Sequence, residues 1–524
     1  MSDDPTLRVV PDILLSRTTV GAGHDAALYF DDRVITFSQL SDRAASLSAL
    51  SQERVPPAQR VAVLGANHPD WVAAYYGVSA SGRQLCFLNH RLSPLELVEQ
   101  MNRANVGLLF AREEEIDRIQ PFLSELTTTP VFVAFDEVLP AASLADTVDQ
   151  TMQPGAPTWL LFTSGTTGKP KGVLLSHDNV FASLRSAEHA RFVGPEDIYA
   201  YPFPLCHVAG YNVPRLHRYG RPVVILEQFK PKSFLDNIEK HRVNSATVAA
   251  TMLASLLFHL EANPNDRQRL QSLKDLSYGA APMPAVLLRQ AHDLLGVSFS
   301  QGFGMSELAG NALFLDADDH QRGFDHDPSL LSAAGSPGPG VSAKIIDEHG
   351  DELARGEPGE LAIRGAQVMV GYLNDDQATE QAVEDGWLRT GDVGVLRPDG
   401  IFAIVDRLKD VIVTGGENVA SLEVENAIRQ ACPELLDIAV VGISDPTWGE
   451  NVCACVVIRP QQTISLDEIA LRLHDSLAPY KIPRHLVVLD ALPQTHSGKT
   501  AKADLRSWLA NDPLRAGERR GSVK

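Results

Sequence analysis

Leu160–Leu175 reads LLFTSGTTGKPKGVLL. Two apolar runs, Leu160–Phe162 and Val173–Leu175, flank a polar turn and predict the strands of a hairpin. The turn holds hydroxyls at Thr163, Ser164, Thr166 and Thr167, glycines at Gly165, Gly168 and Gly172, and lysines at Lys169 and Lys171. Glycines let the backbone approach a ligand closely. Successive backbone N–H groups form an anion-binding nest, and lysines add mobile positive charge. Such a loop suits a polyphosphate. It is not a Walker A loop, because Thr163 stands where that motif needs its first glycine and Pro170 follows Lys169. The plain alternative is a flexible surface linker, and the dense hydroxyls between two apolar strands argue against it.

The whole chain limits what this loop can serve. It has 524 residues, room for about three domains of ~150 residues each. Hydrophobic residues make up 44%, enough for a large core. The formal net charge of -20 argues against a nucleic-acid partner, so an anionic ligand needs a local positive site. Five cysteines, Cys86, Cys206, Cys432, Cys453 and Cys455, are too few for a disulfide framework. Cys453 and Cys455 share one face of an expected strand, as a buried thiol pair or as metal ligands. The opening MSDDPTLRVV lacks the pattern of a signal peptide, and no apolar stretch is long enough for a membrane span. The expectation is a cytoplasmic protein, with a homodimer left open.

Strands alternate with helices on both sides of the loop, which predicts parallel sheets in an α/β fold. Expected strands are Ala27–Phe30, Arg33–Thr36, Arg60–Leu64, Leu85–Leu88, Val106–Phe110, Val223–Leu226 and Ala246–Ala249, and Pro69–Ala80 and Lys232–His241 read as helices. Asn263–Arg269 reads as a mobile polar insertion. Past Ser332 come dense glycine and proline, then short strands at Ala343–Ile346, Gly359–Arg364, Gly394–Leu396 and Phe402–Val405, a β-rich subdomain. From about Asp406 the pattern becomes a small α+β module, which divides the chain into 1–406 and 407–524.

Further stretches carry chemistry. Ser277–Pro284, SYGAAPMP, is a strand ending in small residues, against which a flat ring can lie. Ser300–Gly310, SQGFGMSELAG, offers a stacking face at Phe303, a hydroxyl at Ser306 and a carboxylate for Mg²⁺ at Glu307. Trp387–Asp392, WLRTGD, places Asp392 at a strand-to-turn junction, where a carboxylate can accept ribose hydroxyls. Val413–Asn418, VTGGEN, is a glycine turn, and Leu492–Lys502 contains Lys499 in SGK.

In this order the stretches resemble the acyl-adenylate-forming superfamily of acyl-CoA synthetases, peptide-synthetase adenylation domains and luciferases. The resemblance runs from about Ala26 to Arg506 and rests most on TSGTTGKPKG at Thr163–Gly172, supported by GFGMSE at Gly302–Glu307, TGD at Thr390–Asp392, DRLKD at Asp406–Asp410 and SGK at Ser497–Lys499. It implies a large N-terminal domain of αβ sheets plus a β-barrel-like subdomain, with a small mobile C-terminal domain. It implies that Thr163, Ser164, Gly165, Thr166, Thr167 and Lys171 hold the ATP phosphates. Gly279, Ala280, Ala281, Gln301, Gly302 and Phe303 would frame the adenine, and Gly304 and Met305 would also belong to the nucleotide site. Ser306 would contact phosphate or acyl carboxylate, and Glu307 would hold Mg²⁺. Asp392 and Arg407 would bind the ribose, Ile404 would also belong to the nucleotide site, and Lys499 would bridge the acyl carboxylate and the α-phosphate. His207, with Val208, Ala209, Gly210, Ala250 and Ala309, would line the acyl pocket. Lys409 would be the hinge, and Gly415, Gly416 and Glu417 the loop of the second step. Phe303, Ser306 and Gln494 depart from the family's commoner tyrosine, threonine and arginine.

The implied activity is an acyl-CoA synthetase that joins a carboxylic acid to coenzyme A through an acyl-AMP. HVAGYNVP at His207–Pro214 lacks the aspartate that holds an amino-acid substrate in peptide synthetases, which disfavours an amino acid. The small apolar residues Val208, Ala209, Gly210, Ala250, Ala281, Ala309 and Gly310 suggest a roomy hydrophobic cavity for a medium or long fatty acid, or a bulky polycyclic acid. Alternatives are an enzyme for one half-reaction, a ligase loading a carrier protein, and a degenerate nucleotide-binding protein.

Overall fold

In the computed structural model, described residues are 7–163, 170–279, 283–445, 447–474, 476–495, 499–511 and 518–519. By internal contacts the chain divides into two compact units, Met1–Ala343 with Ile363–Leu388, and Lys344–Ala362 with Arg389–Lys524.

Two twisted sheets build the first unit. The hairpin expected around the opening loop is present: Pro157–Thr163 pairs antiparallel with Lys171–Ser176. It enters a seven-stranded sheet in the order Gly371–Tyr372, Lys171–Ser176, Pro157–Thr163, Leu85–Leu88, Arg60–Leu64, Val106–Ala111, Val131–Ala134. The apolar runs that predicted these strands fill the core, where Ala62, Leu64, Leu109 and Leu160 are fully buried. Capping chemistry sets the helix starts. Ser93 and Glu96 form a capping box before Pro94–Ala104, and Ser176 and Asn179 do the same at His177–Ser186. Ser176 thus ends the hairpin and starts a helix with no linker between.

The nine-stranded sheet runs Ser336–Pro337, Gly310–Leu315, Ser298–Met305, Asp275–Gly279, Ser245–Val248, Tyr199–Tyr201, Val223–Ile225, Ala26–Phe30, Arg33–Thr36. Its inner pairs from Ala26–Phe30 to Ser298–Met305 are parallel. Asn263–Arg269 is not a loose insertion: Pro264–Leu270 is a 3-10 helix, and Arg269 pairs with Glu239 at 2.8 Å and with Asp236. The ion pairs supply the order that its polar composition concealed.

In the second unit Gly449–Ile458 pairs antiparallel with Leu435–Asp445 and parallel with His485–Val488. The two faces of this sheet carry separate cores. Val452, Ala454 and Val456 face one, while Cys453 and Cys455 face the other with Val441 and Leu505. The thiols therefore behave as small apolar side chains. The β-rich stretch supplies Trp387–Leu396 and Phe402–Arg407, both longer than their composition suggested. Among the described residues, no helix is long and apolar enough to cross a membrane.

Helices Phe37–Arg54 and Pro69–Ala80 meet at Gly77, where an added Cβ would strike the Ala44 carbonyl. Gly77→Ala should destabilise the native state by about 1–3 kcal/mol, read as a lower midpoint in denaturant or thermal unfolding.

Candidate active site

The hairpin sets the geometry of the first unit's site. Thr163 and Lys171 are register partners at its open end, and both are partly exposed. Ser164, Gly165, Thr166 and Thr167 lie outside the described residues, as do Ala280 and Ala281. At the loop's exit the Arg103 guanidinium donates to the Pro170 carbonyl. Gly371 and Tyr372 pair with Leu174 and Val173, which sets Tyr372 beside Lys171. The Lys171 Nζ lies 4.6 Å from the centre of the Tyr372 ring, a cation–π contact. On its other side the Tyr372 hydroxyl donates to Glu307 Oε1 at 3.0 Å. Burial, with Glu307 nearby, pushes the Tyr372 hydroxyl pKa up, so it stays a donor.

Glu307 sits in the 3-10 turn Ser306–Leu308 that ends the strand Ser298–Met305. It is 6% exposed, a buried carboxylate. Its carbonyl accepts from the Met369 N–H at 2.8 Å, and Gln367 donates to the Leu308 and Asn311 carbonyls at 3.0 Å each. Gln367–Tyr372 therefore grips the acid's turn from two sides. Reading the sequence missed Gln367 and Tyr372; their signal was a glutamine and a tyrosine in an otherwise apolar AQVMVGYL.

Gly279 and Gly302 are register partners. A Cβ on Gly279 would lie 2.7 Å from the Gly302 carbonyl oxygen, and one on Gly302 would strike Asn311. Close strand packing thus already demands these glycines. Gln301, Phe303, Gly304, Met305 and Ser306 are partly exposed around this edge, and Gln301 Oε1 has no partner among the described residues. His207, Val208, Ala209 and Ala250 are also partly exposed, whereas Ala309 is fully buried with φ 53°. Gly210 is buried, and its missing side chain makes room for Tyr75, whose hydroxyl donates to Leu205 O at 2.6 Å.

In the second unit Asp392 stands inside the strand Trp387–Leu396, opposite Arg407, not at a strand-to-turn junction. Arg407 Nε lies 2.7 Å from Asp392 Oδ1. Oδ2 is buried and has no partner among the described residues. Burial pushes the carboxyl up to about 6, against the pull of Arg407 and then Lys499. Lys499 is exposed, and its amide donates to Thr495 Oγ1 at 3.2 Å. Asp392, Arg407 and Lys499 thus form one electrostatic group. Glu360, not foreseen, holds the strand there by accepting from Gly391 N at 3.0 Å and pairing with Arg389 at 2.9 Å. Ile404 is partly exposed opposite Gly394. Lys409 is exposed in the turn Leu408–Asp410, next to Asp410, which pairs with Arg506 at 2.7 Å. Gly415 and Gly416 join strands Ile412–Thr414 and Glu417–Val419 with φ 61° and 85°, values suited to a two-residue hairpin turn. Glu417 is exposed. The Gly415 N–H donates to Trp448 O at 2.8 Å, and Arg484 lies 3.9 Å over the Trp448 ring.

A large unit of αβ sheets and a smaller unit with an α+β module define the class of adenylate-forming enzymes. The chain belongs to the AMP-binding enzyme family: that family's model matches residues 16–373, and the model of the AMP-binding enzyme C-terminal domain matches 423–499. A feruloyl-CoA synthase from Amycolatopsis sp is 32% identical, over 92% of this chain and 96% of the relative. An indoleacetate–CoA ligase from Aromatoleum aromaticum is 30% identical, over 92% and 95%. The o-succinylbenzoate CoA synthetase of Bacillus subtilis, solved with its acyl-adenylate intermediate, superposes with a TM-score of 0.82 at 28% identity, covering 98% of this chain and 99% of that one. The same enzyme has been solved with ATP and a magnesium ion, with a TM-score of 0.80 at 28% identity over 94% and 98%.

The raised Asp392 pKa has a measurable consequence. Its folded value of about 6 exceeds the ordinary 3.8, so between these pH values the folded chain holds a proton that the unfolded chain has lost. Native stability from this group is full below about pH 4 and is lost as pH rises through about 6. Asp392→Asn has no such proton. The denaturation midpoint of the native chain, relative to that variant, should fall between pH 4 and 6 and level off above 7.

Proposed function

We propose that this chain is an ATP-dependent acid–CoA ligase, acting on an aromatic carboxylic acid through an acyl-AMP. The observation that carries the reading is Tyr372, which ties the cationic Lys171 to the buried Glu307 at the mouth of the hairpin. One side of this tie suits phosphate and the other a hard cation. The buried, unpartnered Asp392 Oδ2, beside Arg407, supports the ribose assignment. The relatives named for feruloyl, indoleacetate and succinylbenzoate substrates support an aromatic acid.

Chemistry follows from charge. An acyl carboxylate oxygen attacks the α-phosphorus of ATP, the bond from that phosphorus to the bridging oxygen breaks, and pyrophosphate leaves. Anion must approach anion. We assign Thr163, Lys171 and Lys499 to neutralising the charge that builds on the phosphates. The Glu307 carboxylate fits a magnesium ion, which when bound spreads the charge of the phosphate oxygens. Tyr372 holds that carboxylate in place. In the second step the thiolate of coenzyme A attacks the acyl carbon, and AMP leaves with the bond electrons. We assign Gly415, Gly416 and Glu417 to this step. We place the functional boundary at Asp406–Arg407 with Lys409 as the hinge, so that one small domain serves two steps in turn.

The test is release of pyrophosphate and AMP, and formation of a thioester, with a panel of aromatic acids, ATP, Mg²⁺ and coenzyme A. No adenylate from any acid, and no thioester from supplied acyl-AMP, would sink the reading. Lys499→Ala should slow adenylation by roughly two to three powers of ten and spare thioester formation from supplied acyl-AMP. Tyr372→Phe keeps the ring beneath Lys171 and removes the bond to Glu307. It should raise the Mg²⁺ concentration for half-maximal adenylation several-fold, with a smaller change in the rate at saturating Mg²⁺.

A further inference from the structure

The nine-stranded sheet has one face that its position does not explain. Inner parallel strands are normally apolar on both sides, because helices cover both. One side obeys: Ala246, Val248, Leu276, Tyr278 and Phe299 belong to a single core cluster. On the other side Thr247, Ser277 and Ser300 lie in register across three adjacent strands. They are hydroxyls in a row. The Tyr199 hydroxyl bonds Thr247 Oγ1, and Ser277 Oγ lies 2.8 Å from Ser300 Oγ.

Thr247 and Ser277 remain partly exposed although their strands are flanked on both edges. Open space therefore lies over this face. The row sits two residues before Gly279 and Gly302, about 7 Å along the strands and on the same face. It is thus just behind the edge assigned to the adenine.

A buried cation interacts with Tyr199, which shares this face. Arg215, in the helix Asn212–Arg218, is only 6% exposed. Its charge interacts with Tyr211 and Tyr199, with the neighbouring Arg191 and with the Glu188 carboxylate. One of its nitrogens donates to the Arg191 carbonyl, Nε has no partner, and no carboxylate pairs with it among the described residues. Glu188 acts on it only without a direct ion pair, so an acceptor oxygen of a ligand at Nε would offset part of its desolvation cost.

We infer that this face seats the far end of the acyl group, and that the acid carries an oxygen substituent remote from its carboxylate, met by Thr247, Ser277 and Arg215. The inference rests on the acid–CoA ligase reading. It replaces a purely hydrophobic pocket with one that has a polar end. Sites built to hydrogen-bond a substrate oxygen discriminate strongly against the analogue lacking it, because their buried polar groups are then left unpaired.

The experiment measures pyrophosphate release with acids paired by carbon skeleton: benzoate and 4-hydroxybenzoate, phenylacetate and 4-hydroxyphenylacetate, cinnamate and 4-hydroxycinnamate. In the best skeleton the hydroxylated acid should have the higher kcat/KM by roughly tenfold or more. Thr247→Val, Ser277→Ala and Arg215→Met should each bring that ratio several-fold toward one. A ratio near one in the native chain would overturn the inference while leaving the ligase reading intact. So would a ratio that stays constant in all three variants while their rates fall, since a merely structural role lowers both acids together. No pyrophosphate with any acid would defeat the ligase reading and the inference with it.

Discussion

The antiparallel pairing of Pro157–Thr163 with Lys171–Ser176 is the constraint on which the first unit's site depends. It sets Thr163 opposite Lys171 at the mouth of the polar loop. Its outer edge takes up Gly371–Tyr372, and that short pairing delivers Tyr372 to Lys171 and Glu307 together. A one-residue slip would turn Tyr372 to the other side of the sheet. Sequence positions near 171, 307 and 372 are thus locked by a few backbone hydrogen bonds.

Charge is handled locally. A chain of net charge -20 repels anions at a distance. Each unit answers with small, supported groups of cations. Lys171 rests on an aromatic ring in one unit, and Arg407 and Lys499 act on Asp392 in the other. The acids among them are buried and held, Glu307 by Tyr372 and Asp392 by Arg407. Holding an acid in a low-dielectric setting tunes it, as the raised Asp392 pKa shows.

Much of the fold was legible in the sequence because its strands are apolar runs bounded by glycine and polar turns. Arg60–Leu64, Leu85–Leu88 and His485–Val488 follow such runs closely. Asn263–Arg269 misled because its order comes from ion pairs to a distant helix, which no local pattern encodes. The motif residues were legible by their order along the chain. Their supports were not. Gln367, Tyr372 and Glu360 act by hydrogen bonds across long sequence distances, and each looks ordinary in its own stretch. Thr247 and Ser277 hid for another reason: a polar residue in a strand reads as its solvent side, and only the sheet order shows that this side is interior.

The central claim is that the acid is activated by taking the adenylyl group from ATP. The direct measurement uses an acid labelled with ¹⁸O in both carboxylate oxygens, turned over with ATP, Mg²⁺ and coenzyme A. Attack of that carboxylate on the α-phosphorus leaves one labelled oxygen in the AMP released. The account predicts AMP carrying a single ¹⁸O and unlabelled pyrophosphate. Label in orthophosphate or ADP, or AMP free of label while thioester forms, would contradict it.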